Sequence, residues 1–463
     1  MVVKPNIEQK AKQIFAGTGV KITTEGRKYL GSPIGTKQFI KSFVTEMVSD
    51  WEKELVDLTQ ISKQEPQVCY AAYVFGLSKR WLYIMRTTPE IAELFKPLEH
   101  CISEQFLPTL FKQFNADTLR NVIALPAKLG GLSIFDPTKI AADEYKYSTS
   151  ATRPLVRLIL EQKLTFETVD IRQESQAEKS AIANAKLEKF KKQQNELTTD
   201  PLLRKVIKHQ SEKGASLWLT TLPVENLGFV MNAQEFQDAL CLRYNLPISN
   251  MPSYCACGKA NSVDHALCCM KGGYTVMRHN NVRDTEAALL QEVCKDVTIE
   301  PPLIPSKELG DRSSLDVGAR GLWSGLEKTL FDVRIFHPGA QSYENRSLES
   351  IYKAHENEKK GKYLNHVLNQ EKCSFTPLVF STHGGNGPEA ARFHKRLATL
   401  LSRKRNILYS EAISYVRRRI RFSILRTTLI ALRGYRGKDS KPVELKDEDL
   451  NLIMFPSRYE HLV

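Results

Sequence analysis

The sequence has no apolar run approaching the ~20 residues that a membrane-spanning helix needs. Its opening residues, MVVKPNIEQK, lack the hydrophobic core of a secretory signal. Membrane-spanning and secreted classes are therefore set aside. No internal repeat is evident. Acidic residues are in deficit: 52 Asp and Glu face 66 Lys and Arg, for a net charge of +14 and a pI near 9.2. That excess favours a polyanionic partner, most simply nucleic acid. Hydrophobic residues at 42% and charged residues at 25% exclude disorder over most of the length. With 463 residues the chain is too long for one core and suits about two or three domains.

Nine cysteines in a chain without a secretion signal read as reduced thiols. Cys69, Cys101, Cys241, Cys294 and Cys373 are scattered singly, as small buried hydrophobes are. Cys255, Cys257, Cys268 and Cys269 instead fall within fifteen residues, together with His265. The pattern Cys255-x-Cys257-x7-His265-x3-Cys269 offers three thiols and an imidazole. That is the soft, tetrahedral set Zn²⁺ takes in structural sites. Gly258 permits the tight turn after the first pair, and Cys268 is an alternative to Cys269.

Roughly the first 145 residues read as helical. Trp51, Leu55, Leu58 and Ile61 recur at helical spacing, as do Ile91, Leu94 and Leu98. The Gly- and Pro-marked stretch LPAKLGGLSIFDP closes this region. Residues 173–197, rich in Ala, Glu, Lys and Gln, read as a solvated connecting helix. After the Cys/His cluster the pattern turns α/β. A helix over 282–294 precedes short strands at 297–299, 314–317 and 329–336. A polar helix over 348–368, an apolar run over 375–381 and further helices to about 434 follow.

In the strand at 329–336, Phe331, Val333 and Ile335 alternate with Leu330, Asp332, Arg334 and Phe336. Asp316 lies sixteen residues before Asp332, in a second strand-like segment. Two strands presenting acids on one side, with a basic residue two positions on, can hold Mg²⁺ beside a scissile phosphate. Glu286 falls on the apolar stripe Val282, Leu289, Leu290, Val293, with His279 and Arg283 on nearly the same side. A carboxylate there needs a metal or an ionic partner such as Arg283, and both readings are open. The helix over 348–368 carries Tyr352, His355, Lys359, Lys362 and Tyr363 as a basic and aromatic stripe. Arg417, Arg418, Arg421 and Arg426 oppose Ile413, Val416, Ile420 and Ile424 on an amphipathic pattern, which suits phosphate contact or a membrane surface. Gly384-Gly385-Asn386-Gly387 is a tight turn or a phosphate cradle, and matches no nucleotide fingerprint.

Several segments together carry a resemblance: FAGTGVKITTEGRKYLGSPIG, SKRWLYIMRTTP, ALPAKLGGLSIFDP, SEKGASLWLTTLP, CACGKANSVDHALCCMKGGYTVMRHNNVRD, SSLDVGARG, LFDVRIFHP and FTPLVFSTHGGNG. In content and order they resemble the C-terminal part of a non-LTR retrotransposon polyprotein. The similarity is to lineages with a restriction-like endonuclease after the reverse transcriptase. It implies a multidomain chain with an α-helical N-terminal half, a zinc knuckle and an α/β PD-(D/E)xK restriction-endonuclease-like core. The implied domains are a thumb-like region at 1–150, a helical linker at 151–250, a CCHC-type knuckle at 251–275, the endonuclease at 276–440 and a flexible tail at 441–463. The implied activity is Mg²⁺-dependent nicking of target DNA, in the nucleus. Asp316 and Asp332 are its implied metal ligands and Glu286 a third, while the charge balance and the residue pattern make His279, Arg283, Arg417, Arg418 and Arg421 the expected nucleic-acid contacts.

Two departures accompany the resemblance. No Tyr-x-Asp-Asp occurs, so no polymerase activity is expected, and a reverse-transcriptase palm would lie elsewhere on the same or a separate chain. Leu315 and Arg334 stand where the family pattern has proline and lysine. Arginine keeps the charge but cannot deprotonate, so Lys359 or Lys362, matching a downstream Lys-x-x-Lys-Tyr element, would activate water. The alternative from a different class is a non-catalytic module binding DNA or RNA, from a decayed or co-opted element.

Overall fold

The computed structural model describes residues 1–112, 116–162, 168–199, 201–306 and 313–434. The C-terminal tail expected at 441–463 lies outside the described residues. The chain is mostly helical and divides into two compact units, Met1–Arg204 and Lys205–Val463.

The first unit opens with a hairpin, β1 (Gly26–Tyr29) against β2 (Ser32–Gly35). Helix α1 (Lys37–Ser62) starts at Thr36, whose side chain accepts the Phe39 N–H in a regular N-cap. Its buried stripe runs Val44, Val48, Trp51, Leu55, Thr59 and Ser62. Ile61, expected on that stripe, is 55% exposed. Two polar residues hold its place on the inner face because Thr59 bonds back to the Leu55 carbonyl and Ser62 to Thr109. Trp51 stacks on Phe95, ring centres 6.4 Å apart. Helix α2 (Ser78–Thr87) adds Trp81, Ile84 and Met85 to this core. The LPAKLGG stretch folds tightly on itself: a Cβ on Gly131 would lie 1.9 Å from the Leu125 carbonyl oxygen. Helix α3 (Pro137–Leu160) runs through residue 150, so the first unit continues past the expected domain edge. Helix α4 (Thr168–Leu197) has no buried residue among its described side chains, as a solvated helix should.

The second unit contains α5 (Ala233–Tyr244), the short α6 (Val263–Cys268) and α7 (Tyr274–Gln291). Strands β3 (Lys295–Ile299), β4 (Val317–Arg320) and β5 (Lys328–Phe336) follow, then α8 (Leu348–Asn369), β6 (Ser374–Ser381), α9 (Pro388–Arg405) and α10 (Tyr409–Arg433). The sheet order is β3-β4-β5-β6. The first three strands are antiparallel, while β5 and β6 are parallel with Asp332 beside Pro377. Parallel neighbours need a crossover, and α8 provides it.

Both faces of β5 are covered, as its alternation requires. Phe331 and Val333 join Val282, Leu290, Phe393, Leu397, Val416 and Ile420 under α7, α9 and α10. Leu330 packs with Tyr363, Val367 and Phe375 on the α8 side, and Phe336 with Tyr352 and Val379. Helix α10 corrects its expected surface role. Arg421 is 4% exposed and Phe422, Ser423, Ile424 and Leu425 are buried around it, so the C-terminal half of α10 is a core helix. Tyr352, His355 and Tyr363 on α8 are likewise buried, which removes most of the expected basic and aromatic stripe from the surface. Among the described residues no helix is long and apolar enough to cross a membrane.

Phe393 is fully buried and meets Phe331 edge-on at 5.1 Å between ring centres. Phe393→Ala should therefore cost about 3–5 kcal/mol in urea unfolding of the second unit. A loss below about 1 kcal/mol would contradict this packing.

Candidate metal centre and candidate active site

The Cys/His cluster is assembled by a turn and a single helical turn. Cys255 N–H donates to the Lys259 carbonyl and Gly258 N–H to the Cys255 carbonyl, closing a tight hairpin. Gly258 makes it possible with φ of +87°, a conformation that side chains resist. Ser262 caps α6 by accepting the His265 N–H at 3.1 Å. One turn on, Cys269 N–H donates to the His265 carbonyl, which brings the i and i+4 ligands to one side. Cys255, Cys257, His265 and Cys269 thus place one ligand atom each within 4.8 Å of one another. Cys255 and Cys269 sulfurs are 3.8 Å apart, and Cys257 Sγ is 3.3 Å from His265 Nε2. This Cys₃His set suits a tetrahedral ion such as Zn²⁺. Cys268 is exposed and outside the set, which resolves the alternative in favour of Cys269. The Lys259 backbone N–H holds the Cys257 thiol below the usual cysteine range, which favours the thiolate a metal takes.

The module is tied to the sheet next to its histidine ligand. Asp264 meets His337 Nε2 at 2.7 Å, and His337 Nδ1 meets Thr382 Oγ1 at 2.8 Å. His337 lies just past β5 and Thr382 just past β6, so the knuckle is fastened to one end of the parallel pair.

The two aspartates lie across neighbouring strands. Val317 pairs with Phe331, and Asp316 N–H donates to the Phe331 carbonyl, so Asp316, just before β4, lies across from Asp332 on β5. Asp316 accepts from Val333 N–H at 2.6 Å and pairs with His279 Nε2 of α7 at 2.9 Å. Asp332 is 5% exposed and pairs with Lys359 Nζ of α8 at 2.8 Å. Burial pushes its carboxyl above the usual aspartate range, with Lys359 pulling against that and Asp316 adding to it. Two neighbouring carboxylates, a lysine and an imidazole therefore converge from α7, the start of the β4 segment, β5 and α8. With waters and phosphate oxygens, two carboxylates suffice for Mg²⁺. The only group of three or more candidate ligands among the described residues remains the Cys/His cluster.

The other expected site residues are distributed differently. Glu286 is fully buried and bonded to His394 Nε2 at 2.6 Å, so its charge is met by α9 and not by the aspartates. Arg283 is committed to Asp284 at 2.8 Å and to Glu300. Arg334 is exposed, and the cation at Asp332 is Lys359. Lys362 lies over the Tyr363 ring, 4.8 Å from its centre. Arg417 and Arg418 are half-buried. The Gly384 turn is tight: Gly384 N–H donates to the Ser381 carbonyl and Ser381 N–H to the Gly385 carbonyl.

Sequence reasoning gave His279 to nucleic acid and missed its bond to Asp316. The signal was its i, i+4 spacing to Arg283, which puts both on one side of α7. His394 was missed outright, since nothing local links it to a carboxylate 108 positions away. Compared with protein-family models and with curated proteins, the chain matches none.

Protein purified without chelator should contain about one Zn²⁺ per chain. Cys269→Ser should lose most of it and Cys268→Ser should retain it, as measured by elemental analysis. Equal zinc in both variants would contradict the assignment.

Proposed function

We propose that the chain is a Mg²⁺-dependent DNA endonuclease of the PD-(D/E)xK kind, which nicks DNA as part of a non-LTR retrotransposon protein. The observation that carries this reading is the neighbouring pair Asp316 and Asp332 with Lys359 at 2.8 Å from Asp332. A buried carboxylate beside a second one is costly, and a fold maintains it where a cation is to be bound. Asp316 and Asp332 would hold Mg²⁺, whose chemistry is to lower the pKa of water and neutralise charge on the phosphate.

The residues of the chain supply the rest. Val333 N–H and His279 fix the rotamer of Asp316, so that one carboxylate is oriented before substrate arrives. Lys359 offsets charge at the pair, and a lysine ammonium can transfer a proton where an arginine guanidinium does not. That accounts for an arginine at the usual lysine position: the working ammonium comes from α8. Substrate DNA would be attracted by the net charge of +14 with a steep salt dependence.

A second reading, a nucleic-acid-binding module without catalysis, is favoured by one observation. Glu286 is engaged by His394, which leaves two carboxylates and not three at the pair.

Supercoiled plasmid incubated with the full chain should be nicked with Mg²⁺ and not with EDTA. Asp316→Ala and Asp332→Ala should each lower nicking about a hundredfold or more while DNA binding is kept. Lys359→Ala should cost about 10²–10⁴-fold, and Arg334→Lys should be nearly silent. A wild-type chain that nicks no DNA form with Mg²⁺ or Mn²⁺ would leave the binding-module reading.

A further inference from the structure

A cavity of about 300 Å³ opens in the second unit between the segment around Gly214, the Gly384 turn, α9 and α10. None of the Cys/His cluster or the aspartate pair lines it. Among the described residues its charged wall is of one sign: Lys213, Lys395, Arg417 and Arg421, with His394 beside them and no carboxylate. Lys213 and Lys395 are exposed at the surface, Arg417 is half-buried and Arg421 is 4% exposed. The walls are graded from solvent inward.

Arg421 is the unusual member. Among the described residues its Nε has no hydrogen-bond partner, and its Nη1 reaches the Thr382 carbonyl only at 3.4 Å. Burial, with Arg243 adding to it, pulls its guanidinium down to about 9. Glu212, whose carboxylate pulls the guanidinium the other way, accepts from the Tyr352 hydroxyl at 2.5 Å and the Ser381 hydroxyl at 2.8 Å. Gly384 has φ of +90°, and a Cβ there would lie 2.2 Å from Arg421 Cδ, so the bare turn makes room for this side chain. A buried, incompletely paired cation is expensive unless an anion completes it.

We propose that this cavity binds a phosphate monoester, with Arg421 at its base and Lys213, Lys395 and Arg417 around the phosphate oxygens. Arginine suits the task because its planar fork matches phosphate oxygens. Leu217, Phe380 and Ile420 offer an apolar wall for an attached sugar or base. Glu286 gains a role here, since its bond to His394 fixes one wall of the cavity. The same chemistry is carried by a free nucleotide and by the 5′-phosphorylated end of a strand. The inference does not rest on the nuclease reading, and Asp316→Ala protein should bind the same ligands.

The test uses the full chain and four probes: 5′-AMP, adenosine, and one short single-stranded DNA with and without a 5′-phosphate. AMP should raise the melting temperature and adenosine should not. Lys395→Ala combined with Arg417→Ala should weaken AMP binding about tenfold, the scale of losing charge-assisted hydrogen bonds. Arg421→Met, which fills similar volume without charge, should abolish it, and if that variant fails to fold the mouth variant still decides. A preference of about tenfold for the phosphorylated strand, abolished by the mouth variant, assigns the strand end. AMP binding without that preference assigns a free nucleotide. Equal binding of both strands together with no response to AMP overturns the proposal.

Discussion

Two carboxylates brought together where the chain enters β4 beside β5, one of them buried, are the constraint that ties α7, β5 and α8 to one another. Neighbouring carboxylates disfavour each other's charged form, and Asp332 is almost completely removed from water. Each compensation comes from a different element. Helix α7 brings His279 to Asp316, the crossover α8 brings Lys359 to Asp332, and β5 itself donates the Val333 N–H. The register of β4 on β5 and the rotation of both helices must hold together for all three contacts to exist. The parallel β5–β6 pair requires a crossover helix, and the same helix then delivers the lysine. Topology and charge compensation are thus one design.

The Cys/His module is fastened to the same sheet at one end. Asp264, adjacent to the ligand His265, bonds His337 after β5, and His337 bonds Thr382 after β6. A Cβ on Gly339 would lie 2.3 Å from Asp264 Oδ1, so a glycine is needed where the knuckle approaches. Structural zinc free energy is folding free energy. Loading the cluster would therefore stiffen α6 and, through Asp264, the ends of the two strands.

Much of this was legible in the sequence wherever the information is local. The zinc-type set stood out because four soft ligands crowd into fifteen residues, a density that singly buried thiols do not reach. The alternation around Asp332 fixed which residues share a face, and both faces proved buried as separate cores. Loss of legibility begins where burial depends on distant partners. The arginines of α10 read as a surface stripe because their spacing opposes the apolar one, yet α10 packs against α7 and α9 and buries Arg421. The pattern in sequence cannot tell a wet basic face from a polar face buried against other polar groups. Glu286 was read correctly as a buried carboxylate in need of a partner, but His394 lies on an element that no periodicity connects to α7. Of the two lysines expected from the following helix, it is Lys359 that meets Asp332, at 2.8 Å.

We propose that Asp316 and Asp332 together form a divalent-cation site. This is tested most directly by titrating the zinc-loaded full chain with Mn²⁺ and following the free-ion electron paramagnetic resonance signal. The expected result is saturable binding that Mg²⁺ displaces and that Asp316→Asn and Asp332→Asn each abolish. Binding that survives removal of both carboxylates, or no binding by the unaltered chain, would contradict it.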